Sequence, residues 1–119
     1  MEKRKYSRVR IKNIRVLYKK KHKFSEFFPY SAPLPVKNIS RWGICLQFSD
    51  DIASVGEIIE IKILMPHLKT FKLIGKIIWS KKDSKDRHYD VGVQFLPVST
   101  LNGLNSPSAW KSWQSISQI

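Results

Sequence analysis

Five residues in two short stretches of this chain could do chemistry together. Arg4 and Arg8, in Arg4-Lys5-Tyr6-Ser7-Arg8, stand four apart. A planar guanidinium fork can donate two parallel hydrogen bonds to phosphate oxygens or to O6 and N7 of guanine, which the point charge of lysine cannot do. Asn38, Ser40 and Gly43 belong to Asn38-Ile39-Ser40-Arg41-Trp42-Gly43, which reads as a turn between two strands. The carboxamide both donates and accepts, and the hydroxyl can bond a phosphate, a base edge or the turn itself. Gly43 lets backbone approach a ligand or take positive φ. Arg41 and Trp42 fill the variable positions, where either could stack on a planar base and Trp42 could equally be packing. Each string alone recurs by chance in basic arms and loops, so its meaning depends on what lies between and around the two.

The charge is the first such context. The 119 residues carry a formal net charge of +13, which points to a phosphate-bearing or acidic partner. Lys3, Arg4, Lys5, Arg8, Arg10, Lys12, Arg15, Lys19, Lys20, Lys21 and Lys23 crowd the first stretch, opposed there only by Glu2. Such an arm of like charges is expected to be mobile until something pairs it. Lys19-Lys20-Lys21-His22-Lys23 reads as a solvated strand end or loop. The length suits one domain with a single core. Cys45, the only cysteine, cannot form an internal disulfide and reads as a small buried hydrophobe in Ile44-Cys45-Leu46. His22, His67 and His88 lack ligand spacing, so no metal or cofactor is expected. Neither a signal peptide nor a membrane-spanning run is visible, and the chain is expected to be cytoplasmic.

The elements that must hold these residues follow from alternation at period two. Val9, Ile11, Ile14, Val16 and Tyr18 suggest a long first strand with a bulge near Asn13. Pro29, Pro33 and Pro35 make the next segment a loop. Val36 to Ile39 and Gly43 to Phe48 read as strands on either side of the second stretch. Glu57 to Met65 alternates Ile59, Ile61 and Ile63 with Glu60, Lys62 and Leu64. Thr70 to Ser80 is a strand with Gly75 as its bulge or corner, Lys81 to Arg87 a polar turn, and His88 to Leu96 the last strand. Six short strands of this kind predict an all-β, six-stranded antiparallel β-barrel. Residues 1–98 are assigned to the barrel and its basic arm, and residues 99–119 to a C-terminal tail. There Ser106 can cap, and Pro107 open, a short helix carrying Trp110, Trp113 and Ile116.

The chain resembles the PilZ family, whose signatures are RxxxR and (D/N)xSxxG. Asp90-Val91-Gly92-Val93-Gln94-Phe95 is similar to the late G-V-x-F strand of that family, so the resemblance covers about residues 2 to 98. It implies a split-barrel fold, often with a C-terminal helix that the short tail here would truncate. It implies binding of the second messenger cyclic di-GMP, with Arg4 and Arg8 as clamps and Asn38, Ser40 and Gly43 as the floor of the site. Arg41 and Trp42 are further candidates. Lys3, just ahead of the first signature, could hold a second, stacked ligand. Ligand binding would order the arm on the barrel and change how a downstream protein, not identifiable from the sequence, recognises it.

Two rivals remain on the sequence alone. A basic barrel with Trp42, Trp79 and other aromatics could bind single-stranded nucleic acid by charge and stacking. A PilZ-like adaptor could bind only protein. An enzyme has least support, because no nucleophile–base pair, carboxylate pair or phosphate loop is visible, and Asp50-Asp51 reads as turn chemistry.

Overall fold

The structure, a computed structural model, describes residues 14–21, 29–49, 54–65, 70–82, 88–99 and 104–116. Lys3, Arg4, Arg8, Val9, Ile11 and Asn13 therefore lie outside the described residues. The elements run β1 (Arg15–Lys20), β2 (Val36–Ser40), β3 (Gly43–Phe48), β4 (Ile58–Leu64), β5 (Phe71–Lys82), β6 (Tyr89–Phe95) and α1 (Pro107–Ile116). The strands form one antiparallel sheet in the order β1-β4-β5-β6-β3-β2, rolled into a half-barrel. Its two ends, β1 and β2, are joined by the proline-rich segment. Leu34 N donates to Val16 O (2.9 Å), Ser31 N to Tyr18 O (2.8 Å), and Gln47 N to Pro35 O (2.9 Å). Prolines suit this bridge because it lies at the sheet edge, where missing N–H groups cost least.

Alternation does place the core. Val16 and Tyr18 on β1, Ile59, Ile61 and Ile63 on β4, and Leu46 and Phe48 on β3 all point inward and are buried. The Tyr18 and Phe48 rings meet at 4.7 Å. The open end is filled by α1. Ser106 Oγ accepts from Ala109 N at 3.1 Å and caps the helix, whose first residue is Pro107. Ten residues are marginal as an isolated helix, so docking decides the matter. Ala109, Trp113 and Ile116 are buried at helical spacing, and Trp113 is fully enclosed edge-on to Phe95 at 4.9 Å. The helix is thus formed, not truncated to a loop.

A single polar side chain ties the tail to the sheet. Asn105 is buried; its Oδ1 accepts from Ile74 N (2.6 Å) and its Nδ2 donates to Ile74 O (2.9 Å) and Leu96 O (2.8 Å). It supplies β5 and β6 with hydrogen bonds that no strand provides there.

Four expectations change. The bulge of β5 falls between Ile77 and Trp79 and not at Gly75, whose missing β-carbon instead makes room for Val93 Cγ1. β5 also continues through Lys81 and Lys82, which were expected to start a turn. Glu60, expected on the solvent side with Lys62, is buried beneath Tyr30. Nor is the lysine run after it simply solvated: Lys19 and Lys21 reach Glu60 at 3.8 and 3.5 Å, and Lys20 reaches Glu57 at 3.6 Å.

Burial alone would raise the Glu60 pKa. The Tyr30 hydroxyl, which donates to its carboxylate, and then Lys19, Lys21 and Lys72 outweigh that and hold it below the ordinary value. A carboxyl whose folded pKa is lowered contributes stability above its unfolded pKa and loses it as pH falls through the folded one. The stability of the wild type should therefore decline on acidification below about pH 4.3, the ordinary glutamate value, and Glu60→Gln should remove that part of the decline. Denaturant titrations of both proteins across the acid range measure this; parallel curves would exclude it. Asn105→Ala should cost about 3 kcal/mol by the same method, because Ile74 N and Leu96 O lose the Asn105 side chain, while Ile74 O keeps Leu96 N.

Candidate functional site

β2 and β3 form a hairpin closed by Arg41 and Trp42, with Ser40 paired to Gly43 and Asn38 to Cys45. Because Ile39, Ile44 and Leu46 point into the core, Asn38, Ser40, Gly43 and Cys45 face outward together. Next to them on β6, Gly92 and Gln94 face the same way, opposite Cys45 and Gly43. The result is a shallow trough of about 310 Å³ on the outside of the half-barrel. Its floor is Gly43, Cys45 and Gly92, residues too small to fill it, and its polar rim is Asn38, Ser40 and Gln94.

The walls are aromatic. Strict alternation from Leu73 through Gly75 and Ile77 would put Trp79 in the core. The extra residue at the bulge, Ile78, reverses the phase, so that Ile78 and Trp79 are both exposed (45% and 43%). The Trp79 indole then lies over Gly92, where a β-carbon would stand 2.1 Å from its Nε1. Trp42 lines the other side, half-exposed and stacked on Trp110 of α1 at 4.7 Å. Arg41 sits over the Trp42 ring at 5.5 Å.

The turn itself is held from below. The Trp113 indole N–H, rising from the core, is shared between Ser40 O and Arg41 O, each at 3.1 Å. Phe95 N donates to Trp42 O at 2.9 Å. Ser40 Oγ donates to Gly43 O across 3.4 Å, a weak local bond that leaves its lone pairs available. Asn38 and Gln94 have no hydrogen-bonded side-chain partner among the described residues. The trough thus presents a carboxamide, a hydroxyl and a second carboxamide between two indoles, which suits a planar heterocycle with donor and acceptor edges.

Gly43 has a role that its sequence context did not disclose. A β-carbon there would lie 2.4 Å from Val93 O, so glycine is needed for β3 to approach β6. Positive φ is not the reason; among the described glycines only Gly56 has it. Cys45 is buried as expected, yet on the outer face, in the floor of the trough. Burial and then Asp90 push its thiol pKa up, outweighing Lys37 and the Val91 backbone, so it remains a neutral thiol and a poor nucleophile.

Among the described residues, no lysine or arginine lines the trough. Of the residues singled out in the sequence, Asn38, Ser40, Trp42 and Gly43 are brought together; Arg41 lies beside them at the turn; Arg4, Arg8 and Lys3 lie outside the described residues. Trp79 and Gln94 were not recognised as part of this site. The signal for Trp79 was the pairing of a tryptophan with the glycine of Gly92-Val93, visible only once the β5–β6 register is known.

The PilZ domain model matches residues 2–104, spanning both signatures and all six strands. The chain belongs to the PilZ family. A search of curated proteins returns no matching relative. The match extends past the expected boundary at residue 98 to take in the start of the tail, where Val98 bridges Asn105. For this PilZ domain, Gly43→Ala should lower stability by about 1–3 kcal/mol, the scale of overpacking against backbone. Chemical denaturation reads this directly, and an unchanged midpoint would mean that β3 and β6 can separate freely.

Proposed function

We propose that this PilZ domain is a cyclic di-GMP receptor and not an enzyme: a guanine base lies in the trough while Arg4 and Arg8 close over the phosphates. The observation that carries this reading is the trough itself. Its rim offers directional groups for a base edge and its walls offer indoles for the base face, but among the described residues none that lines it is positively charged. A dianion bound there needs cations from elsewhere, and the arginine pair of the family signature lies in the arm of greatest positive charge. Division of labour follows: the hairpin reads the base, and the arm neutralises the phosphates.

In this reading Asn38 and Gln94 bond the base edge, Ser40 a phosphate or ribose group, and Trp79 stacks. Arg41 and Trp42 border the same space, and Lys3, just ahead of the arginine pair in sequence, would help hold a second, stacked ligand. Closure of the arm changes the surface that a downstream protein meets, so the output is a switch in binding and not a reaction.

Isothermal titration with cyclic di-GMP tests the proposal, with GTP and a short single-stranded DNA as controls. Arg4→Ala and Arg8→Ala should each weaken binding by about 1.5–3 kcal/mol, roughly ten- to a hundredfold. Trp79→Ala should cost about 1–3 kcal/mol, the scale of one base–aromatic stack. A ligand with two charges should bind with shallow salt dependence, whereas oligonucleotide binding would steepen with the number of phosphates engaged. Tight, length-dependent DNA binding with no heat from cyclic di-GMP would replace this reading with the nucleic-acid one.

A further inference from the structure

The trough lies over β2, β3 and β6, with Ile78 and Trp79 of β5 as one wall; the outer face of β1, β4 and the first part of β5 carries a different feature. Lys62 on β4 and Lys72 on β5 are direct cross-strand partners. Their neighbours Ile61, Ile63 and Leu73 point into the core, so both lysines project from the same outer face. Lys76 follows Lys72 on that face, about 13 Å along the strand. Like charges directly opposite each other destabilise a sheet. Among the described residues no acidic side chain forms an ion pair with Lys62, Lys72 or Lys76. Glu60, the nearest carboxylate, is already engaged by Tyr30, Lys19 and Lys21, and Lys72 feels its charge without forming an ion pair with it.

The arrangement is also pre-organised. Tyr30, anchored by its hydroxyl to Glu60, holds its ring 4.6 Å from the Lys19 ammonium and 5.2 Å from that of Lys62. Packing a lysine stem against an aromatic ring fixes where its charge is displayed and reduces the entropy lost on binding.

We infer that this face is a docking surface for an acidic protein segment, whose carboxylates fill the positions opposite Lys62, Lys72 and Lys76. Charge complementarity selects the sign of the partner. Three features select protein over other polyanions. The three opposed or aligned charges, Lys62, Lys72 and Lys76, are lysines, without the forks that read phosphate or bases, and the described arginine of this half, Arg15, stands at the end of β1 opposite Leu64. The exposed tryptophans that could stack bases, Trp42 and Trp79, line the trough. Of the exposed large hydrophobic side chains, the kind that would enter a bilayer interface, none stands among these three lysines; Ile78, two residues past Lys76, lines the trough. The inference does not depend on what occupies the trough.

The test compares two double variants of equal net charge, Lys62→Glu/Lys72→Glu and, away from the face, Lys81→Glu/Lys111→Glu. Binding of a fluorescent oligo-glutamate peptide is measured by anisotropy, beside a single-stranded oligonucleotide and vesicles containing an anionic phospholipid. The peptide should lose about tenfold in affinity with the first pair and much less with the second. Lys62→Gln/Lys72→Gln gives an intermediate loss. Equal peptide losses in both double variants would overturn the inference, as would a loss confined to the oligonucleotide or the vesicles.

Discussion

The bond shared by the Trp113 indole N–H with two carbonyls of the Ser40–Arg41 turn is the interaction on which the site depends. Trp113 is the largest fully enclosed side chain, so its position is fixed by the whole core and by α1. By donating to Ser40 O and Arg41 O it passes that rigidity to a turn of two exposed residues. A hairpin tip is ordinarily among the least stable parts of a sheet. Here it is fastened from the inside by Trp113, from β6 by the Phe95 N–H, and from the flank by the Trp42–Trp110 stack. The tail, which by sequence could have been a frayed end, is therefore what positions the second signature.

The trough is made by omission as much as by contact. Gly43, Cys45 and Gly92 lie on adjoining strands where larger residues would fill the surface. Two of the three have a structural reason for their size: Gly43 lets β3 meet β6, and Gly92 lets the Trp79 indole lie flat on the sheet. The space available to a ligand is thus a by-product of how closely these strands and this ring pack. Polar groups survive at its rim because Asn38 and Gln94 are outward positions of strands whose inward positions are apolar. The site needs no special backbone; it uses the ordinary alternation of the sheet.

That alternation explains what could be read in advance. Each inward isoleucine of β4 and each strand boundary marked by proline or glycine followed from period two, as did the cap of α1 from Ser106-Pro107. The grouping of Asn38, Ser40 and Gly43 followed from their spacing about a hairpin. Three features did not follow, each for a physical reason. Glu60 is a charged residue in an outward position, and its burial needs Tyr30, thirty residues away, to fold over it. The bulge at Ile78 leaves no mark in a run of apolar residues, so Trp79 could not be assigned to a face. Gly75 looked like a bulge because a strand glycine often is one, whereas here Val93 requires the space.

The two faces of the half-barrel also divide the charge in a way that composition could not show. A net charge of +13 does not say which face of the sheet is positive; among the described residues the trough is lined by neutral groups, while cations gather on β1, β4 and β5. A neutral trough discriminates by shape and hydrogen bonding, since the attraction that any anion would feel is supplied by groups outside it. Placing an opposed lysine pair on the far half keeps its field away from the trough, because at physiological ionic strength interactions between exposed charges fade within about 8 Å. Each half of the sheet is thereby free to meet its own partner. Any communication between the halves must pass through the packed strands β5 and β6 and not through the charge of the surface.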